Sequence, residues 1–247
     1  MDQVNDLNIL FEKDAAIVRV NDKKIGTISY SVNPFHSRDY YLTFNLQQYD
    51  VKMAKDIINI LRQKLNKPFQ VMACSNEQEL ISFICSAGFL CKRKCYEVEA
   101  FSGQYVGKRI NYPLSVALDG SLIYEKCCQI MLERYISTHE AISPWTGLPE
   151  AFFEVLPRTV FYELDGQRIK NLAFVEENEI AYVSGVDEKE FTSFAQGLVS
   201  RVLEQFDSVV FEADDCDRYA MKLKNLFDSQ AENSFNTYIL EFRDMSN

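Results

Sequence analysis

The chain of 247 residues contains a single Trp and two His, and it has no Cys-x-x-Cys pair among its seven cysteines. Each scarcity removes a class of function. A structural zinc site wants paired thiolates or a His pair at fixed spacing. Cys91 and Cys95 have no second pair, and His36 and His139 stand alone in the sequence. An odd number of thiols reads as free cysteines in a reducing compartment rather than as a disulfide framework; a Cys/His nucleophile pair stays open as an alternative. No run approaches the roughly 18 apolar residues that a membrane helix needs. The opening MDQVNDLNILFEKD is acidic and lacks the basic-then-apolar order of an export signal, so the sequence reads as cytoplasmic. A basic excess is missing too, which speaks against nucleic acid or an anionic membrane as partner.

What is present is a core-forming composition. Hydrophobic residues make up 47% of the chain, with 18 Phe and 13 Tyr, so much of the interior is expected to be aromatic. The net charge of −10 is unevenly placed: residues 1–150 carry 17 basic and 17 acidic residues, and residues 151–247 carry 9 and 19. The acidic part either serves solubility or attracts a cationic substrate such as an amine.

Hydrophobic period divides the chain into recurring elements. Strand-like runs at Ala15–Val20 and Ile25–Val32 flank a turn at 21–24, and Tyr40–Leu46 alternates as a third strand. Asp50–Leu65 has a helical period, Phe69–Cys74 reads as a buried strand, a helix capped by Ser75 or Asn76 runs to Ala87, and Leu90–Ala100 alternates again. From Thr159 the order repeats: a hairpin about Asp165-Gly166, a strand at Ile180–Val186, a helix carrying Phe191, Phe194, Leu198 and Val202, a strand at Val209–Glu212, a helix after Asp217, and a closing strand at Thr237–Phe242. Between the copies, 101–120 reads as a linker and Ser121–His139 as a helix, followed by a short helix near Glu150–Leu156. Gly26 and Gly166 read as turn glycines. Asp214, Asp215 and Asp217 could bind a divalent cation or cap a helix, and capping is the reading the helix dipole favours.

This order of elements resembles the GNAT superfamily of acyl-CoA-dependent N-acyltransferases. The fold class is then α/β (α+β): two tandem GNAT-like mixed sheets flanked by helices, with domains at 1–102 and 103–247 and a substrate-side helical segment at 121–156. In that family the fourth and fifth strands splay, and the CoA pyrophosphate lies on the following helix N-terminus behind an Arg/Gln-x-x-Gly-x-Gly/Ala signature. In the first copy Asp50, Met53 and Lys55 fall on that signature. In the second, Glu190-Phe191-Thr192-Ser193-Phe194-Ala195 does, with Ser193 and Ala195 small as required and Glu190 in place of a base. The first copy keeps the family's Gly88-Phe89 after its next helix. Ile84 and Lys224 stand where the family often has a tyrosine acting as general acid.

The resemblance implies acetyl-CoA as co-substrate, held by Val183, Gly185, Phe191, Ser193, Phe194 and Ala195. It implies Glu212, Tyr182 and His139 as catalytic residues, and Tyr135, Glu140 and Trp145 as the wall for a small-molecule amine or a peptide amine. Two functions follow: an acyl-CoA-dependent N-acyltransferase acting on an amine, or a non-catalytic GNAT-like binding or interaction protein that has lost the chemistry. Pairing of two copies into a homodimer is a third expectation.

Overall fold

The computed structural model describes residues 6–228 and 233–241. It contains two compact units, and they interleave along the sequence. Unit 1 comprises Met1–Arg93, Ile142–Thr146 and Phe235–Asn247, and unit 2 comprises Lys94–Ala141 and Gly147–Ser234.

In unit 1, strands β1 (Leu7–Phe11), β2 (Ala15–Val20), β3 (Lys23–Asn33) and β4 (His36–Leu46) form an antiparallel meander. The β2–β3 turn is the expected one: Asn21 and Asp22 both take positive φ, 50° and 63°, the backbone that a two-residue hairpin demands. Helix α1 (Val51–Leu65) follows. Its apolar residues Ala54, Ile57, Ile58 and Leu61 recur at three and four and are all buried. Asp50 caps its start, and Asn66 ends it in the left-handed conformation at φ 49°. Strand β5 (Phe69–Cys74) and helix α2 (Gln78–Ser86) complete the predicted series, with the cap at Glu77 rather than at Ser75 or Asn76.

Unit 2 begins within β6 (Leu90–Phe101) and adds β7 (Ser115–Leu118), α3 (Leu122–His139), α4 (Pro149–Phe153), β8 (Thr159–Asp165), β9 (Arg168–Glu176), β10 (Glu179–Gly185), α5 (Glu188–Val202), β11 (Ser208–Asp214) and α6 (Arg218–Lys224). Its strands run in the order β6-β11-β10-β9-β8-β7. One face of this sheet packs Val98, Ala173, Val183, Val209, Phe211 and Ala213 against Phe191, Phe194 and Leu198 of α5 and Tyr219 of α6. The alternate residues face α3 and α4: Phe174 meets Tyr124, and Tyr182 meets Phe152.

The mixed α/β class and the repeated element order stand as expected. The pairing corrects two expectations. The closing strand, β12 (Phe235–Leu240), belongs to unit 1, where it pairs antiparallel with β5 from Phe235↔Cys74 to Leu240↔Phe69. Residue 242 of the expected run lies outside the described residues. Unit 2 takes β6 instead, paired with β11 from Ser208↔Phe101 to Asp214↔Cys95. A boundary between 102 and 103 would therefore part each fifth strand from its antiparallel partner. Two strands also lie where none was expected. β1 alternates Leu7, Ile9 and Phe11 onto the unit 1 core. β7 is a four-residue strand at the sheet edge inside the expected linker.

Gly26 is not in the turn. It lies in β3 opposite Leu46, with φ +155°. A Cβ there would fall 2.3 Å from the Asn45 carbonyl oxygen and 2.7 Å from the Leu46 Cα. Backbone atoms cannot rotate away, so Gly26→Ala is expected to cost about 2–4 kcal/mol in urea unfolding, from overpacking plus strain. Gly103→Ala, which meets nothing within 4 Å, is expected to leave the midpoint unchanged.

Candidate functional site

In unit 2 the parallel strands β10 and β11 meet at one register pair only, Glu179↔Val210. Past it β10 bulges between Ile180 and Tyr182 and stays paired with β9 as far as Gly185↔Asn171, while β11 follows β6. The two strands thus diverge toward their C-terminal ends. Unit 1 behaves alike: β4 and β5 pair at Tyr40↔Phe69 and Tyr41↔Gln70 and nowhere beyond. There Tyr49 Oη donates to the Phe44 carbonyl, past the last paired residues.

Glu212 and Asp214 alternate with the core residues Phe211 and Ala213, so both project to the α3 side of β11. Glu212 is exposed and accepts from the Cys95 thiol at 3.7 Å. Directly opposite it on β6 is Glu97, also exposed. Tyr182 stands beside them. Burial, with the nearby Glu212 and Glu179 carboxylates, raises its pKa, so its hydroxyl stays protonated and available as a donor. From Tyr182 an arc of rings runs through Phe152 (5.8 Å) and Tyr135 (5.0 Å) to His139 (4.0 Å, stacked). The arc returns to β11 where His139 Nε2 meets Asp214 Oδ2 at 3.4 Å.

The structure thus brings Glu212, Tyr182, Tyr135 and His139 together on one face, but it gives His139 a tying role. The side chain is 7% exposed, and its Nδ1 lies 2.9 Å from both the Tyr135 carbonyl and Thr138 Oγ1. Glu140 is exposed at the end of α3. Trp145 does not join this wall. It belongs to unit 1, stacked on Phe35 at 5.1 Å and edge-on to His36 at 5.5 Å, in a segment whose Ser143 Oγ meets Tyr41 Oη.

The residues expected to hold acetyl-CoA sit differently from a phosphate cradle. Val183, Phe191, Phe194 and Ala195 are core residues with at most 5% exposure, because the stretch matched to the signature lies inside the first two turns of α5. Only Gly185 and the exposed Ser193 remain outside the core.

Two features fill the places that the cofactor would need. At the start of α5, Asp187 Oδ1 accepts from the N–H groups of Lys189 (2.9 Å) and Glu190 (3.1 Å), the donors an anion would otherwise take. Those bonds hold the Asp187 carboxyl below its ordinary value. Glu188 and Glu190 add charge in the same turn, paired with Arg218 (3.8 Å), Lys222 (3.5 Å) and Lys170 (3.1 Å). Where the strands end, Arg134 of α3 reaches Asp217, the cap of α6, at 2.8 Å. Its guanidinium also lies 5.0 Å from the centre of the fully buried Tyr219 ring, with Arg218 4.9 Å from the same ring. Tyr219 presses on Phe191 and Gly185; a Cβ on Gly185 would come within 3.1 Å of the Tyr219 ring. A helix from one face of the sheet is thereby bolted to a helix on the other across the divergent strand ends. These residues do not fit a CoA pyrophosphate on α5.

Arg134 and Tyr219 were missed in the sequence. Their only signal was proximity to His139 and to the Asp-rich turn. Asp217 is a helix cap, as its place before a helical pattern suggested. Lys224, at the family's tyrosine position, lies over the Tyr96 ring at 4.7 Å.

No protein-family model and no curated protein matches the chain. Among solved structures it is similar to a GCN5-related N-acetyltransferase from Sphaerobacter thermophilus, at 11% identity and TM-score 0.48, covering 92% of this chain and 79% of that one. It is similar to a GNAT-family acetyltransferase from Colwellia psychrerythraea, at 10% identity and TM-score 0.45, covering 92% and 85%. A functionally unknown conserved protein from Staphylococcus epidermidis is similar at 15% identity and TM-score 0.46, covering 96% and 95%. No helix among the described residues is long and apolar enough to cross a membrane.

The Arg134–Asp217 pair is largely buried, with side chains 18% and 14% exposed. Arg134→Met is expected to lower stability by about 1.5–3 kcal/mol, since it removes the charged partner and leaves the partly buried Asp217 carboxylate to the α6 amides alone. The double variant with Asp217→Asn should recover part of that loss, measured as a double-mutant cycle in urea. The Asp187 cap has its own signature in acid. Its lowered pKa contributes stability that is complete above the ordinary carboxyl value of 3.8 and is lost as pH falls through the lower folded value. Asp187→Asn, which still caps, should fold as well at neutral pH and show a shallower loss of stability below pH 3.8.

Proposed function

We propose that the chain is a GNAT-like binding protein whose second unit takes a protonated amine and has no working site for acyl-CoA. The observation that carries this reading is the double closure of unit 2. Asp187 consumes the N-terminal donors of α5, and the Arg134–Asp217–Tyr219 bolt spans the divergent strand ends.

The acceptor side supports an amine. Glu212 and Glu97 face one another across the β11–β6 pair, which places two carboxylates where one ammonium can meet both. Glu179 and the Tyr182 ring flank them, and an ammonium gains from both carboxylates and an aromatic face. A peptide lysine or a small polyamine carries that chemistry.

A second reading is favoured by the single-point pairing of β10 with β11. If the bolt opens, unit 2 is an N-acyltransferase of GNAT type. A bound acyl thioester such as acetyl-CoA would supply the activated acyl group. Glu212 would take the proton from the incoming amine, and Tyr182 would keep a proton to donate.

Calorimetry with spermidine and a peptide carrying a free lysine side chain on one side, and acetyl-CoA on the other, separates the two. The binding reading expects the amines to bind, Glu212→Gln and Glu97→Gln each to weaken them at least fivefold, and acetyl-CoA to give no heat at millimolar concentration. Amine-dependent release of free CoA thiol from acetyl-CoA, lost in Glu212→Gln, would overturn it in favour of the transferase.

A further inference from the structure

A cavity of about 740 Å³ in unit 2 lies away from the carboxylates of β11 and β6, at the other end of α3. It opens between the first two turns of α3, the end of α4 and the turn after β7. Its size falls in the range of roughly 300–1,000 Å³ typical of small-molecule sites. The floor is apolar: Tyr124, Cys128 and Leu156 are 6%, 2% and 5% exposed, and Phe153 is half-buried. Tyr124 Oη donates to the Pro157 carbonyl at 3.1 Å, which fixes the ring edge-on against Phe174. Burial pushes the Cys128 thiol up to about 11, as an apolar surrounding would.

At one end of this floor two opposite charges stand side by side. The Asp119 amide donates to the Arg158 carbonyl at 2.9 Å, so both side chains leave the backbone at the cavity mouth. Both residues are exposed, and among the described residues neither side chain closes an ion pair. Glu125, Lys126 and Glu154, also exposed, lie along the rim, but Asp119 and Arg158 are the two that the backbone joins at one end of the floor, where together they complement a ligand with an ammonium, a carboxylate and an apolar body. Arg favours the carboxylate through its planar fork.

We infer that this cavity is a binding site for a zwitterionic apolar amino acid, with the α-carboxylate on Arg158, the α-ammonium on Asp119 and the side chain on Tyr124, Cys128, Phe153 and Leu156. The site is independent of the amine reading for Glu212: it lies on different elements and recognises both charges of its ligand.

The test is calorimetry on the full chain with L-leucine and L-phenylalanine. The controls are L-leucinamide, which lacks the carboxylate, N-acetyl-L-leucine, which lacks the ammonium, and glycine, which lacks the side chain. Leucine or phenylalanine should bind at millimolar concentration or below, with each control at least tenfold weaker. Arg158→Gln and Asp119→Asn should each weaken binding at least tenfold with no change in melting temperature of the free protein, as both residues are exposed. A second readout is independent of heat. N-ethylmaleimide should modify Cys128 slowly in the free protein and more slowly still with leucine present, read by peptide mass spectrometry. The inference is overturned by any of three results: neither amino acid binds or protects Cys128, glycine binds as well as leucine, or Arg158→Gln leaves the affinity unchanged.

Discussion

Everything in this fold rests on how its two splayed strands are held. A parallel neighbour that touches at one or two positions cannot satisfy a strand's backbone, and a buried strand edge with open N–H and C=O groups is costly. β5 and β11 therefore depend on antiparallel partners along their whole length, six residues from β12 and seven from β6. Those partners come from parts of the chain far from the strands they support. This requirement interleaves the units along the sequence, places the last strand in unit 1 and leaves each parallel pair free to diverge.

The divergence creates room, and the two units use it differently. In unit 1 aromatic side chains take it: Phe83 is fully buried against Phe44 and Tyr49, and the Tyr49 hydroxyl satisfies a carbonyl of β4. In unit 2 a charged tie takes it. Arg134 spans the strand ends to Asp217 and Tyr219, and the start of α5 saturates its own donors with Asp187. A helix N-terminus attracts anions only while its N–H groups are open. With the cap in place and two more carboxylates in the first turn, the field there is that of an ion-paired surface. The sheet face toward α3 keeps the exposed Glu212 and Glu97 beside Tyr182, whose hydroxyl stays protonated.

Much of the fold was legible locally. α1 was marked by its apolar spacing, its Asp50 cap and the break at Pro68; α5 by Phe191, Phe194, Leu198 and Val202; the β8–β9 hairpin by Asp165-Gly166. β7 escaped because four residues at a sheet edge leave too short a period to read. The site was legible in part. Glu212, Tyr182, Tyr135 and His139 do converge, since strand alternation fixes which face β11 offers. Phe191, Phe194 and Ala195 fall on a ligand-binding signature, but their helical spacing is also that of a core face, and they pack in the core. Closeness in sequence puts Trp145 with Tyr135, yet the segment that carries it packs on Phe35 and His36.

The sequence alone determined the number, order and ends of most helices and strands, because side-chain period, caps and turn residues act over a few positions. Only the tertiary structure decided that β12 pairs with β5 in unit 1, that His139 is a tie between α3 and Asp214, and that Arg134 closes the divergent end of β10 and β11. Those outcomes turn on backbone edges and charges brought together from positions tens to more than a hundred residues apart. No local pattern reports which of several compatible partners will pack there with the fewest unsatisfied groups.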